Sequence, residues 1–174
     1  MLTTPTPVDR YILLVFDGLY VFVPQITVQS VEIIADLYVH QTSAGAVGWF
    51  EQEHGQGQQV PIFCLDYNLT LIVTIPRSRQ YLVIFHHPQS PLGVISDTVE
   101  IVDLMKENIN PQQLPPIMTT AETPITHLLV YQNQIGCLCK GETFTHYLNH
   151  QSERFSQNQV LPKPPVRPRL VKER

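Results

Sequence analysis

Cys137, Cys139, His146 and His150 are the residues of this chain whose types come nearest to a metal site. Thiolates and neutral imidazoles are the ligands zinc prefers, and a four-residue step places His146 and His150 on one face of a helix. The spacing argues against the chemistry. One residue separates the two cysteines and six lie between Cys139 and His146, whereas zinc sites built on sequence-local ligands use a tight cysteine knuckle and a longer reach to the second pair. In a strand Cys137 and Cys139 would share a face, where free cysteine behaves as a small buried hydrophobe. That reading is preferred, and no metal or cofactor is expected.

The other reactive types are no better arranged. His86 and His87 are adjacent at the end of an apolar run, so in extended chain they point to opposite faces. Asp97 and Glu100 could be paired carboxylates, but such acids are more often solvated. Serines, histidines and aspartates are scattered without a nucleophile elbow, and the eight glycines form no phosphate-binding loop. Catalysis is therefore not expected; a metal- or thiol-dependent enzyme or sensor built on the Cys/His cluster is the alternative. The run Gly48-Trp49-Phe50-Glu51-Gln52-Glu53-His54-Gly55-Gln56-Gly57-Gln58-Gln59 is different, because the single tryptophan and a phenylalanine open a polar, glycine-containing loop. Loops of this kind carry recognition, and tryptophan is a favoured anchor of binding surfaces.

Positioning such residues falls to short strands. Fifteen prolines and eight glycines in 174 residues cut the chain into brief segments, which disfavours coiled coils and helical bundles. Tyr11 to Phe16 and Leu19 to Val23 flank Asp17-Gly18, a two-residue hairpin signal. Val60 to Asp66, Leu69 to Ile75, Tyr81 to His86 and Leu92 to Asp97 are further strand-length apolar runs, the last two joined by Pro88-Gln89-Ser90-Pro91. Val28 and Val31 after Pro24 have helical spacing and predict a short helix. Asn110 to Pro116 predicts a loop or an extended connection, Leu128 to Tyr131 and Ile135 to Cys139, flanking Gln132-Asn133-Gln134, a last hairpin, and Thr143 to Leu148 a closing helical turn. The fold class is mainly β, a barrel or sandwich.

Hydrophobic residues make up 43% of the chain and charged residues 15%, enough to fold one domain and too little charge for general disorder. Residues 151–174 carry six of the eleven basic residues and two of the fifteen acids, leaving +4 on that segment and −8 on the rest. A body this acidic argues against a nucleic-acid surface on the folded part. No apolar run reaches the roughly 20 residues of a membrane span, and the first residues lack the features of a signal peptide. Three cysteines make no disulfide framework. A cytoplasmic protein is expected, with a flexible N-terminus over 1–10, a folded domain over 11–150, and a disordered, basic, proline-rich tail over 151–174 that could fold back onto acids such as Glu51 and Glu53.

The order of these pieces resembles the CheW-like adaptor domains, the coupling proteins of bacterial chemosensory arrays. Phe22-Val23-Pro24 followed by Val28 and Val31 is similar to the family's aromatic-x-proline and the spaced valines of its first helix. Gly45-Ala46-Val47 resembles its glycine-led strand, and Val60-Pro61-Ile62-Phe63-Cys64-Leu65 its proline-aliphatic-aliphatic-aspartate-leucine strand. Leu92-Gly93-Val94-Ile95-Ser96-Asp97-Thr98-Val99 is similar to the family's glycine-leucine-valine-aspartate-x-valine, and Leu128 to Leu148 to its last hairpin and helix. The chain departs from the pattern where the family has an asparagine-leucine-arginine-glycine turn: the loop is longer and has no arginine. Cys64 and Cys139 stand where aspartates are usual, so both should be more buried here.

The resemblance implies two intertwined five-stranded, SH3-like β-barrels with one or two short helices. It also implies a non-catalytic adaptor whose barrel end docks a CheA-type histidine kinase and whose inter-barrel groove receives the cytoplasmic tip of a chemoreceptor. Partner-binding residues are then expected at Val28, Val31, Gly45, Trp49, Phe50, His54, Gly55 and Gly93, with Val31 and Gly93 near the groove. The altered turn suits an accessory adaptor, for instance in a chemosensory system controlling type IV pili and twitching motility. A scaffold that binds only another CheW-like adaptor or a regulator is the further alternative.

Overall fold

The computed structural model describes residues 10–52, 57–87, 90–120 and 122–158. Of the expected flexible segment 1–10, residues 1–9 lie outside the described residues, as do the tail from 159 onward, His54 and Gly55, while Arg10 is the first residue of a strand.

Among the described residues thirteen strands form two curled sheets. The first contains β1 (Arg10–Phe16), β2 (Leu19–Pro24), β10 (Val99–Asp103), β11 (Gln112–Gln113), β12 (His127–Tyr131) and β13 (Gln134–Leu138), in the order β10-β1-β2-β13-β12-β11. The second contains β3 (Val28–Ile33), β4 (Tyr38–Val39), β5 (Gly48–Glu51), β6 (Gln59–Leu65), β7 (Leu71–Ile72), β8 (Tyr81–Phe85) and β9 (Leu92–Ser96), in the order β3-β8-β9-β6-β5-β4, with β7 beside β6. Each sheet thus has five strands of four to seven residues, supplemented by two-residue edge pieces. The chain starts in the first barrel, builds the whole of the second, and returns, so the two are intertwined as expected.

Local signals explain the turns. Asp17 and Gly18 have φ of 50° and 89°, and Gln132 and Asn133 have 49° and 60°, the left-handed pair that lets a two-residue turn match strand twist. Gln134, expected in the second turn, is the first residue of β13.

Strands β1, β2, β6, β8 and β9 are apolar on both faces because each lies between two cores. Along β1, Tyr11 and Leu13 point into the first barrel while Ile12, Leu14 and Phe16 point into a layer shared with the second. Leu82 and Ile84 of β8 fill the second barrel, and Val83 and Phe85 join the shared layer. Such strands read as continuous apolar runs, not as alternation.

Three expectations about local structure are corrected. Val28 and Val31 are not helical: a 3₁₀ turn at Gln25–Thr27 leads into β3, which pairs with β8. Its exposure alternates strictly, with Gln29, Val31 and Ile33 outward, so period two governs where period three was read. Leu69 to Ile75 holds only the two residues of β7. The closing helical turn is a 16-residue helix, α1 (Thr143–Asn158). Phe144, Tyr147, Leu148 and Phe155 all pack against the shared layer, an amphipathic spacing that continues into polar sequence. The folded part therefore extends past 150 to 158.

Arg79 welds the barrels together. Its side chain is fully buried. Nη2 donates to the Leu65 carbonyl of β6 at 2.5 Å and to Asp17 Oδ2 in the β1–β2 turn at 3.2 Å. Nη1 lies 2.7 Å from Asp97 Oδ1, where the chain crosses back to the first sheet, and the guanidinium sits 5.8 Å from the centroid of the Phe16 ring. Buried charge persists only when paired in this way. The Asp97 carboxyl is held below the usual carboxylate range: burial acts to raise it, but hydrogen bonds from Ser78, Arg79 and the Asp17 amide, with the Arg79 charge, outweigh burial.

Two outcomes follow. Gly93 in β9 is buried, and a Cβ there would lie 2.6 Å from Ile62 Cδ1, 2.9 Å from Ile84 Cδ1 and 3.0 Å from the Val83 carbonyl. Gly93→Leu should cost on the order of 1–3 kcal/mol by overpacking, if it folds at all, which urea unfolding would measure. Because the native Asp97 pKa is depressed, its contribution is complete above the unfolded carboxylate pKa of about 4 and is lost as pH falls through the lower native value. The stability gap between wild type and Asp97→Asn should hold steady from about pH 7 to 5 and shrink below about pH 4; a gap unchanged at pH 3 would contradict the ion-pair account.

Candidate protein-binding surface

The second sheet does not close by strand pairing. Both β3 and β4 are edge strands, linked by a 3₁₀ turn at Ile34–Asp36. Unpaired edges expose backbone donors and acceptors and are places where another chain can add. Here they also carry apolar side chains: Val31 and Ile33 of β3 are 41% and 56% exposed, and Tyr38 and Val39 of β4 are 54% and 73% exposed.

Next to this edge stands an aromatic group. Tyr38 and Trp49 are cross-strand partners, their rings nearly parallel with centroids 5.8 Å apart. The His40 ring meets Trp49 edge-on at 5.3 Å. Phe50, the next residue, turns the other way and packs against the interior of the second barrel. Between β3, the 34–36 turn and the end of β5 lies an open groove of about 880 Å³, lined among others by Glu32, Asp36, Tyr38, Phe50 and Glu51. Among the described residues, none of its three acids forms an ion pair.

The residues singled out by sequence divide three ways. Val31 and Trp49 border the exposed edge, and Phe50 lines the groove from the inside. Val28 sits on β3 but packs half-buried on the shared layer. Gly45 and Gly93 are both buried, where they act as internal spacers. Gly45 has φ of 84°, and a Cβ there would lie 3.0 Å from the Phe155 ring, so its role is to seat α1 against the turn before β5. The Ser152 hydroxyl donates to the Ala44 carbonyl at 2.9 Å in the same place. Sequence reasoning missed Ile33, Tyr38 and Arg79. Ile33 and Tyr38 could have been found by extending period two through residues 28–33 and beyond; Arg79 carries no signal that separates it from Arg77.

The candidate metal ligands do not converge. Cys139 is buried in the shared layer and Cys137 in β13, while the His146 side chain is largely exposed beside Glu142 at 3.5 Å. Among the described residues no three histidines, cysteines or acids are grouped to hold a metal. Burial pushes up the thiols of Cys64, Cys137 and Cys139, at Cys64 against the lowering effect of Arg79. Cys64 and Cys139 are both fully buried, as their replacement of aspartate suggested.

With this geometry in hand, comparison with known proteins becomes informative. No family model matches the sequence, and no curated protein matches it. The fold, in contrast, is similar to the crystal structure of the scaffolding protein TtCheW from Thermoanaerobacter tengcongensis, with a TM-score of 0.56 and 15% identity, over 79% of this chain and 92% of that one. The chain therefore has the CheW-like fold. Among the described residues no helix is long and apolar enough to cross a membrane.

The thiols give a direct check on this packing. Raised pKa values and burial leave little accessible thiolate, so all three cysteines should resist a thiol reagent in the native protein at neutral pH and react together on unfolding. Rapid native labelling of Cys64 or Cys139 would mean that the barrel interiors open far more readily than their packing implies.

Proposed function

We propose that this protein is a non-catalytic adaptor of a bacterial chemosensory complex, linking a CheA-type histidine kinase to the cytoplasmic tip of a chemoreceptor. The observation that carries this reading is the likeness to a scaffolding protein over 92% of that protein's length, joined to an exposed apolar edge surface. Protein-binding surfaces work through an apolar centre with aromatic anchors, ringed by polar groups. Val31, Ile33, Tyr38 and Trp49 supply that patch on the second barrel.

The first barrel has an apolar patch of its own. Val130 and Ile135, cross-strand partners in the β12–β13 hairpin, are 64% and 70% exposed. Two separated apolar surfaces suit a protein that joins two partners. An accessory adaptor in a system controlling type IV pili and twitching motility is the proposed setting, and cytoplasmic the proposed location.

Affinity capture with the full-length chain tests the reading. A CheA-type kinase, a chemoreceptor or both should be retained. Val31→Asp and Trp49→Ala should weaken capture of one partner by about tenfold or more, as losses of interface anchors do, and Ile135→Asp should weaken the other. Retention of a CheW-like adaptor alone would favour the scaffold that has lost kinase and receptor contact. Retention of neither kinase nor receptor, with stoichiometric zinc in the purified protein, would return the case to the Cys/His cluster.

A further inference from the structure

The groove beside β3 and β4 is acidic and aromatic, and the chain supplies a segment of matching chemistry. Glu32, Asp36 and Glu51 line it, with no lysine or arginine among the described lining residues, and Tyr38 and Phe50 give it aromatic surface. Residues 159–174 contain five basic residues and one acid. Within them, Pro162-Lys163-Pro164-Pro165-Val166-Arg167 sets two prolines three apart and a basic residue two further on. Proline-rich segments favour the extended polyproline II form before they bind, so ordering them costs little entropy, and they dock in aromatic-lined grooves. An arginine next to the prolines finds acids at the groove's rim.

The path is short enough. The last turns of α1 lie at the loop before β5, where Phe155 meets Gly45 and Ser152 meets Ala44. From Gly45 to Glu51, the end of β5, the chain spans at most about 20 Å at the strand rise of ~3.3 Å per residue. From Asn158 to Arg167 a polyproline II segment reaches about 28 Å at ~3.1 Å per residue. The tail can thus lie along the β4–β5 arm and place Arg167 among Glu32, Asp36 and Glu51.

We propose that residues 162–174 of this chain occupy the acidic groove of the same molecule. This goes beyond the adaptor reading and stands without it. A docked tail covers Tyr38 and the Glu32 flank of β3, so it shares part of the exposed edge with any protein that binds there.

Zero-length carbodiimide crosslinking of the full-length protein, mapped by mass spectrometry, tests the proposal. Lys163 and Lys172 should link to Glu32, Asp36 or Glu51 within one chain, at a yield independent of protein concentration. Lys106 and Lys140, the other two lysines, serve as internal references. The double variant Pro165→Ala/Arg167→Glu should lower those tail links at least fivefold while leaving links from Lys106 and Lys140 unchanged. The proposal is overturned if the tail lysines link as often to acids outside the groove, if the double variant leaves the yield intact, or if mixed isotope-labelled copies show the links to run between molecules.

Discussion

The layer of side chains between the two barrels is the constraint on which the rest of this structure depends. Phe16, Val21, Phe63, Leu65, Val83, Phe85, Val94 and Phe144 meet there. A strand that contributes one face to this layer has its other face inside a barrel, so it has no side left for a polar residue. That is why β1, β6, β8 and β9 are nearly unbroken apolar runs, and why polar residues collect on edge strands, turns and one face of α1. The helix belongs to the same constraint, because Phe144, Leu148 and Phe155 cover the layer where the barrels leave it open. The exposed apolar side chains lie away from this layer, on the β3 and β4 edges, on the outer face of the β12–β13 hairpin and in turns, and the first two are where a second protein can be met.

Arg79 is the polar complement of that layer. It reaches the β1–β2 turn, the end of β6 and the crossover after β9 at once. No two of these segments are close in sequence, so the ion-pair cluster reports on the relative placement of both barrels. Ser96 reinforces the same junction, accepting from the Val15 amide at 2.9 Å and donating to the Thr98 carbonyl at 2.6 Å. A buried charge that must satisfy three distant partners tolerates few alternative dockings, which makes it a device for specificity more than for stability.

What the sequence made legible was local. Asp17-Gly18 specifies its hairpin through backbone conformations few residues adopt, and the apolar runs announce strands buried on both faces. The errors arose where tertiary context decides. Val28 and Val31 have a spacing compatible with a helical turn, and only pairing with β8 settles them as strand. The polar residues after Leu148 look like tail until Phe155 is seen to pack beside Gly45. Gly93 invited an external role because a missing Cβ permits close approach, but the approaching atoms are Ile62 and Ile84 of its own barrel. Arg79 was invisible because its partners, at Asp17, Leu65 and Asp97, are brought together by the fold alone.

The order in which the chain visits the two barrels has a consequence for its biosynthesis. The β1–β2 hairpin is made first, yet β2 is flanked in the finished sheet by β13, with Tyr20 beside Gly136 and Phe22 beside Leu138. Until that distant strand leaves the ribosome, at about 5–20 residues per second, the hairpin has apolar residues on both faces and an unsatisfied edge. The second barrel, whose strands are contiguous in the chain, can condense in the interval and offer Val83, Phe85 and Val94 as a surface on which the waiting hairpin rests. Non-local parallel pairing of this sort is slow, so the free edge of β2 stays unpaired at least until synthesis has passed Leu138.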